Sequence, residues 1–431
     1  MTIYIVSDKA ATRLMPSPKV PATLRGRASW YPYYAGYSPE FVKHVIENAE
    51  LPPGAKILDS WNGSGTTTQI AAELGFPAIG VDLNPVMVVV ARARLLQKED
   101  ASTLRVLTKE LAQNIIGTGT VLESDGLSLW LDDTSASEMR AVEQEIRAVS
   151  HADPLQQGPI DKSIATACFF WTGLFRTVRR IMAPLRGTNP TWVRRPSPQT
   201  RLSIPRGTVV SLLTEEIAAM IEALESESPG PENVGPTQIM TGTSTALPLE
   251  NSSVHLVVTS PPYCTRIDYA VTTSVELATL DVHSNNVLRE VRDKMIGTTT
   301  IRAQQPTARE SWGPTCLRLL EAIRDHGSHA SATYYLKTHQ QYFHDIDLSL
   351  AELNRCLVPG GEAVIVVQDS YYKDVRNDVP AIVSEMCAEL GWSLVKRVDF
   401  PVTRNLVGIN GRARKYLEER SAVEAVLHFR K

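Results

Sequence analysis

The sequence predicts an open, doubly wound α/β sheet carrying a largely helical insertion, on three observations. Short apolar runs that read as buried strands alternate with segments of helical period at 56–98 and again at 339–430. The first run opens into a glycine-rich turn and a helix, and the next ends in an acid, the order of a nucleotide-binding α/β unit. Between the two halves, 99–238 offers helical stretches and loops but no strand for the sheet.

With 431 residues, 43% hydrophobic and 21% charged, the chain reads as an ordinary soluble globular protein with core for two or three domains. A net charge of −3 means that any nucleic acid must be met by local basic patches. Cys168, Cys264, Cys316, Cys356 and Cys387 show neither CxxC pairing nor zinc spacing, so reduced thiols of a cytoplasmic protein and no metal are expected. The first residues lack a basic-then-apolar signal, and no run approaches 18 apolar residues, so no membrane span is expected.

Residues 1–30, rich in proline and basic side chains, are expected to form an N-terminal arm. The first half of the catalytic unit is then 31–98. It opens with the aromatic loop Tyr31-Pro32-Tyr33-Tyr34-Ala35-Gly36-Tyr37-Ser38-Pro39, running into a helix. The strand ending at Asp59 leads through Ser60 and Trp61 into Gly63-Ser64-Gly65-Thr66-Thr67 and a helix stopped by Gly75. Glycines let the backbone approach a ligand closely, and the following helix offers free N–H groups. A second strand, 78–82, ends in Asp82, 19 residues past Gly63, where a Rossmann-type fold places its ribose acceptor. Asn84 and Pro85 then start a helix over 86–98.

In the insertion, helices are predicted at 103–116, 138–149, 165–182 and 209–227. From Ser163 to Thr214 there is no Asp or Glu, while Arg176, Arg179, Arg180, Arg186, Arg194, Arg195, Arg201 and Arg206 occur. This composition suits a surface that contacts phosphates, or a patch paired with acids from elsewhere such as Glu215 and Glu216. A Pro/Gly-rich linker over 228–236 closes the insertion.

The second half, 239–431, resumes with a strand at 239–243. Another buried strand, 255–258, ends abruptly in Thr259-Ser260-Pro261-Pro262-Tyr263. Proline fixes φ, removes an amide donor and pushes the residue before it toward extended geometry. Ser260 and the nearby carbonyls are therefore fixed acceptors beside the flat ring of Tyr263. Such a tip suits a planar substrate carrying an amino group. A helix follows at 273–280, 281–338 reads as irregular, and helices at 342–357 and 379–390 flank a strand at 363–367. The last strands, 393–400 and 422–429, enclose a basic loop containing Arg404, Arg412, Arg414, Lys415 and Arg420.

Ser260-Pro261-Pro262-Tyr263 and Gly63-Ser64-Gly65-Thr66-Thr67 together resemble the motifs of the S-adenosylmethionine-dependent amino-methyltransferases that modify exocyclic nitrogens of DNA bases. The resemblance covers 31–98 and 239–430. It implies a Rossmann-like class I methyltransferase sheet, mostly parallel, ending in an antiparallel hairpin. By it, Asp59 would meet the cofactor's amino-acid end, Asp82 with Asn84 the ribose, and Trp61 would wall the pocket beside Gly63, Ser64, Gly65 and Thr66. Tyr37 and Pro39 fall in the family's leading motif, of the type His-Pro-Tyr-Pro-Ala-Lys-Phe-Pro-Pro, which helps hold the methionine end. Tyr31 and Gly36 here replace its His and Lys. Thr243 stands where the family often has an acid facing the adenine.

Catalysis would then use the Ser260 hydroxyl and the Pro261 carbonyl as acceptors for the amine, with Pro262 stiffening the turn and Tyr263 stacking on the base. Members with Ser at the first position more often act on cytosine N4, and those with Asp or Asn on adenine N6. The resemblance thus implies a cytosine-N4 DNA methyltransferase of a restriction or defence system, acting alone or with partner subunits. Adenine N6, an RNA base, or a non-catalytic DNA-binding subunit are the alternatives. The insertion is unmatched and is expected to read the target through Arg176, Arg179, Arg180, Arg194, Arg195, Arg201 and Arg206.

Overall fold

The computed structural model describes residues 15–21, 23–33, 36–115, 118–187, 193–264, 268–280, 284–402 and 422–431. Its strands are β1 (Ile57–Asp59), β2 (Ala78–Asp82), β3 (Thr237–Thr241), β4 (Val254–Thr259) and β5 (Leu357–Gln368), then a separate ribbon of β6 (Ser370–Tyr372) and β7 (Val375–Asn377), then β8 (Ser393–Val402) and β9 (Ala422–Arg430). Seven of them form one sheet in the order β3-β2-β1-β4-β5-β9-β8. The first five run parallel, and β9 inserts antiparallel between β5 and β8. This is the class I methyltransferase form of the Rossmann-like sheet. Strand order reverses between β1 and β4, and the crevice beyond their carboxyl ends is where such sheets bind ligands.

Both faces of the sheet's centre are covered, which is why β1, β2 and the 363–367 part of β5 read as apolar runs, whereas edge strand β3, partly exposed, reads Thr-Gln-Ile-Met-Thr. Adjacent residues of a strand serve opposite faces. Ile57, Leu256 and Val364 pack with α1 (Pro39–Asn48) and α2 (Thr66–Glu73), in a core shared with Phe41, Val45 and Ile70. Leu58, Val257 and Ile365 enter the other core with Leu319, Phe343 and Ile382. The remaining helices are α3 (Pro85–Ala93), α4 (Ala101–Asn114), α5 (Asp133–Ser150), α6 (Lys162–Ile181), α7 (Thr208–Glu225), α8 (Tyr269–Thr272), α9 (Ser274–Leu280), α10 (Ser284–Lys294), α11 (Gly313–Asp325), α12 (Leu336–Cys356) and α13 (Val379–Glu389).

Helices α4 to α7 gather around α6, which has 14 buried residues, including Phe169, Phe170, Trp171 and Phe175. All of its residues except Lys162, Ser163, Thr166, Arg176, Arg179 and Arg180 are buried, which makes it the central helix of the insertion. At Gly173 a Cβ would lie 2.9 Å from Ile217 Cγ1, so only glycine lets α7 approach this closely. The insertion is not a detached module, since its core is continuous with Trp30, Val86, Val90, Leu277 and Ala278. The N-terminal segment is likewise integral rather than a free arm from about Arg27 onward. Trp30 is fully buried and donates from Nε1 to the Met220 carbonyl (2.8 Å). Buried Arg27 pairs with Glu73 (2.7 Å) and Glu227 (2.8 Å) and donates to the carbonyls of Arg94 and Leu96.

Residues 281–338, expected to be irregular, contain α10, α11 and the start of α12. The stripe Cys316, Leu319, Leu320, Ile323 that seats α11 was present in the sequence at helical spacing. In α10, Val287, Leu288 and Val291 likewise stand at helical spacing among polar residues. No helix among the described residues is long and apolar enough to cross a membrane.

Candidate active site

At the end of β1, Asp59 is 2% exposed and its carboxylate accepts four hydrogen bonds: from Tyr37 Oη (2.6 Å), Thr259 Oγ1 (2.6 Å), Thr67 Oγ1 (2.8 Å) and the Trp61 amide (3.1 Å). Burial pushes its pKa up, and these donors oppose the shift. Tyr37 also touches Thr67 Oγ1 and the Val258 carbonyl. The group therefore fastens β1, β4, α2 and the aromatic loop together beneath the crevice. The polar atoms of Asp59 and Tyr37, both expected at the cofactor, face one another here, and neither residue lines the crevice. Pro39 begins α1, capped by Ser38, away from the crevice.

The glycine turn works through its backbone. Gly63, at φ +49°, donates its amide to Asp82 Oδ2 (2.7 Å), and a Cβ there would lie 2.7 Å from the Tyr33 ring. The Asn84 amide holds the other Asp82 oxygen (2.8 Å). With its orientation fixed on both sides, Asp82 lines the crevice; burial raises its pKa to about 6, against the pull of the two amides. Ser64, Gly65 and Thr66 form the turn and the start of α2 behind the crevice, where the Ser64 carbonyl accepts from buried Arg94 (2.9 Å).

At the tip of β4, Ser260 Oγ donates to the Val366 carbonyl of β5 (2.9 Å), leaving its lone pairs as acceptors toward the crevice. The Pro262 carbonyl accepts from Tyr342 Oη of α12 (2.9 Å). The motif is thus pinned from two neighbouring elements.

The crevice encloses about 840 Å³, including space open to solvent. Among the predicted site residues, Trp61, Asp82, Asn84, Thr243, Ser260, Pro261, Pro262 and Tyr263 line it together; Tyr37, Pro39, Asp59, Gly63, Ser64, Gly65 and Thr66 stand behind. Sequence reasoning missed Tyr33, Ser60, Tyr269 and Lys294 in the lining. Tyr33 lies in the aromatic loop and Ser60 between two residues already singled out, so a local signal existed for both. Lys294 ends a helix that was not read. Asn84 also donates to Thr273 Oγ1 (2.8 Å), tying the cofactor half to the segment after the catalytic motif.

Three of the seven arginines expected at nucleic acid are engaged by carboxylates of the fold. Arg176 pairs with Glu216 (2.6 Å) and donates to the Trp30 carbonyl. Arg180 reaches Glu215 (2.8 Å) and Glu216 (3.1 Å). Arg179 pairs with Glu276, bonds Tyr31 Oη and lies 4.0 Å over the Tyr31 ring. These cations hold the insertion to α9 and the aromatic loop. Arg194, Arg195 and Arg206 are exposed and Arg201 half-buried along 193–207, with no ion pair among the described residues. The basic loop from Arg404 to Arg420 lies outside the described residues.

No protein-family model matches the chain. Over 289 residues, 63% of this chain and 56% of the relative, it is 24% identical to the type II methyltransferase M.BsoBI of Geobacillus stearothermophilus. Over 104 residues, 22% of this chain and 19% of the relative, it is 31% identical to the type II methyltransferase M.MjaII of Methanocaldococcus jannaschii. The chain thus spans about half the length, or less, of the curated relatives it matches. Among solved structures, a geranyl diphosphate methyltransferase in complex with GPP and sinefungin superposes with a TM-score of 0.31 at 8% identity, covering 91% of this chain and 77% of that one. A methyltransferase of Bacillus halodurans gives 0.32 at 9% identity, covering 90% and 98%. Such superpositions are loose, and the strand order carries the fold assignment.

Proposed function

We propose that the protein methylates an exocyclic amino group of a DNA base, cytosine N4, using S-adenosylmethionine, in a restriction-modification setting. The observation that carries this reading is the meeting of two fixed groups in one crevice: Asp82, held by Gly63, and Ser260-Pro261-Pro262-Tyr263 at the tip of β4. Similarity to type II methyltransferases supports DNA as the substrate.

The residues fit the cofactor. Asp82 offers a carboxylate with both oxygens oriented, Trp61 and Tyr33 offer apolar walls, and Thr243 sits at the β3 end of the crevice. When bound, S-adenosylmethionine supplies an electrophilic methyl group. The protein must do the rest. A base's exocyclic nitrogen is a poor nucleophile because its lone pair is delocalised into the ring. Acceptors fixed at its N–H groups favour the pyramidal, positive nitrogen that attack requires. Ser260 serves as one, since its own proton is committed to Val366; the Pro261 carbonyl is the second. Tyr263 supplies the face on which a base, flipped from the duplex or already single-stranded, stacks. Asp59 and Tyr37 hold β1 and β4 in register beneath.

The reading is tested by incubation with methyl-labelled S-adenosylmethionine and mixed DNA, followed by nucleoside mass spectrometry. N4-methylcytosine is expected. N6-methyladenine would keep the mechanism and change the base, label only in RNA would change the polymer, and no label would favour the non-catalytic reading.

Two further results are expected. Because the folded-state value of Asp82 lies above the ordinary carboxylate value, the ligand-free fold loses stability as pH rises from about 4 through 6. Ribose hydroxyls donate to the ionised form, so ligand affinity has the opposite dependence. Affinity for S-adenosylhomocysteine should fall about tenfold per pH unit below 6 and level off above it, as read by calorimetry; Asp82→Asn should flatten the profile. Separately, replacing Arg194 and Arg195 with Ala should weaken DNA binding and reduce the slope of log affinity against log salt by about 2. An unchanged slope would remove the 193–207 segment as the DNA contact.

A further inference from the structure

Asp82 and Lys294 are the two charged residues among those that line the crevice. Lys294 is also exposed, and a residue that lines a crevice while open to solvent stands at its mouth. Helix α10 carries three cations, and the fold uses two of them. Arg292 pairs with Asp268 (2.9 Å) and Arg289 with Asp293 (3.9 Å), whereas Lys294 has no ion pair among the described residues.

What separates Lys294 from an ordinary solvated lysine is the anchoring of the turn that bears it. Val291 and Met295 are buried with Ala270 against Leu83 and Tyr269, and Leu83 directly follows Asp82. Ile296 enters the core that holds Cys264, which directly follows Tyr263. The backbone at Lys294 is thus fixed between the end of β2 and the catalytic motif, with its charge at the opening.

The chemistry of the substrate names the anion for it. A target base whose amine meets Ser260 and Pro261 is itself uncharged, and it enters the crevice tethered to a sugar and to phosphodiesters. Those phosphates continue into the polymer on both sides, so they stay outside, at the mouth. Resting on the proposed function, we infer that Lys294 Nζ binds a phosphate flanking the target nucleotide and so positions the extruded base against Ser260 and Tyr263. A lysine suits this place, since a compact charge on a flexible stem can follow a phosphate from several directions. The contact is separate from those expected along 193–207, none of which lines the crevice.

The test uses the full chain and mixed-sequence DNA, with binding followed by fluorescence anisotropy across a salt series and methyl transfer followed at steady state. Lys294→Gln should reduce the slope of log affinity against log salt by about 1. It should weaken DNA binding about eightfold at about 0.1 M salt and about fourfold at about 0.2 M. KM for DNA should rise correspondingly, while kcat changes less than about twofold. Lys294→Arg should restore most of the affinity and the slope. S-adenosylhomocysteine affinity and the melting temperature should stay at the parent values, since Lys294 is exposed and holds no carboxylate of the fold. An unchanged slope, or a loss in kcat at unchanged KM, overturns the inference. Weaker S-adenosylhomocysteine binding at unchanged slope overturns it too, by giving Lys294 the cofactor's carboxylate as its anion. These outcomes leave the proposed function standing. If the parent neither binds DNA nor transfers a methyl group, the proposed function fails first and the inference falls with it.

Discussion

Replacing Ser260 with Ala is expected to lower the single-turnover methylation rate about 100- to 1000-fold while leaving S-adenosylhomocysteine affinity unchanged. The separation follows from where the hydroxyl sits. It is anchored to the Val366 carbonyl, not to a cofactor-holding group, so its removal leaves Asp82, Gly63 and Asn84 undisturbed. What disappears is one acceptor whose lone pairs were aimed before the substrate arrived. A preorganised acceptor of this kind acts mainly in the transition state, where the amine nitrogen becomes positive and its N–H groups more acidic. The fall should therefore appear in the chemical step and not in substrate binding. Ser260→Asp, which keeps an acceptor and adds charge, should retain more activity than Ser260→Ala. A Ser260→Ala protein with full single-turnover activity would sink the catalytic assignment, and one with weakened S-adenosylhomocysteine binding would relocate Ser260 to the cofactor site.

What could be read from the sequence was local. The glycine turn, the acid at the end of β2 and the two prolines after β4 each declare their geometry through a few neighbouring residues, and each lies at the predicted strand tip. The central parallel strands β1, β2 and the 363–367 part of β5 were legible because both their faces are buried, so their apolar runs are uninterrupted. What escaped reading was set by partners far along the chain. Whether Asp59 faces ligand or fold depends on hydroxyls 22 and 200 residues away, at Tyr37 and Thr259. The acid-free run around Arg179 looked like a phosphate-binding surface because its partner, Glu276, lies 97 residues downstream. No composition argument over a window can see such pairings. Arg194, Arg195, Arg201 and Arg206 differ in having no ion pair among the described residues.

The largest stability effect is expected at Arg140, which is 1% exposed on α5. Its guanidinium meets Asp125 (2.7 Å) and Glu143 (2.5 Å), and donates to the carbonyls of Ala278 (2.6 Å) and Thr279 (2.8 Å) at the end of α9. Those last carbonyls have no partners within their own helix, so the cation both satisfies them and meets the negative end of the helix dipole. Arg140→Ala strands a fully buried Asp125 and uncaps α9 together. The expected loss is about 3–5 kcal/mol, measured from the urea midpoint at constant slope. Replacing both Arg140 and Asp125 with Leu should cost less than Arg140→Ala alone, because the stranded Asp125 charge is removed and Glu143 keeps its pairing with Arg147 (2.9 Å). A loss below about 1 kcal/mol for Arg140→Ala would mean that water reaches this site and that the apolar packing of Leu277, Ala278 and Leu280 holds α9 unaided. The consequence would extend to the crevice, because α9 begins beside Thr273, which accepts from Asn84 at its wall. If the cation does hold α9, Arg140→Ala should also loosen that wall and weaken S-adenosylhomocysteine binding.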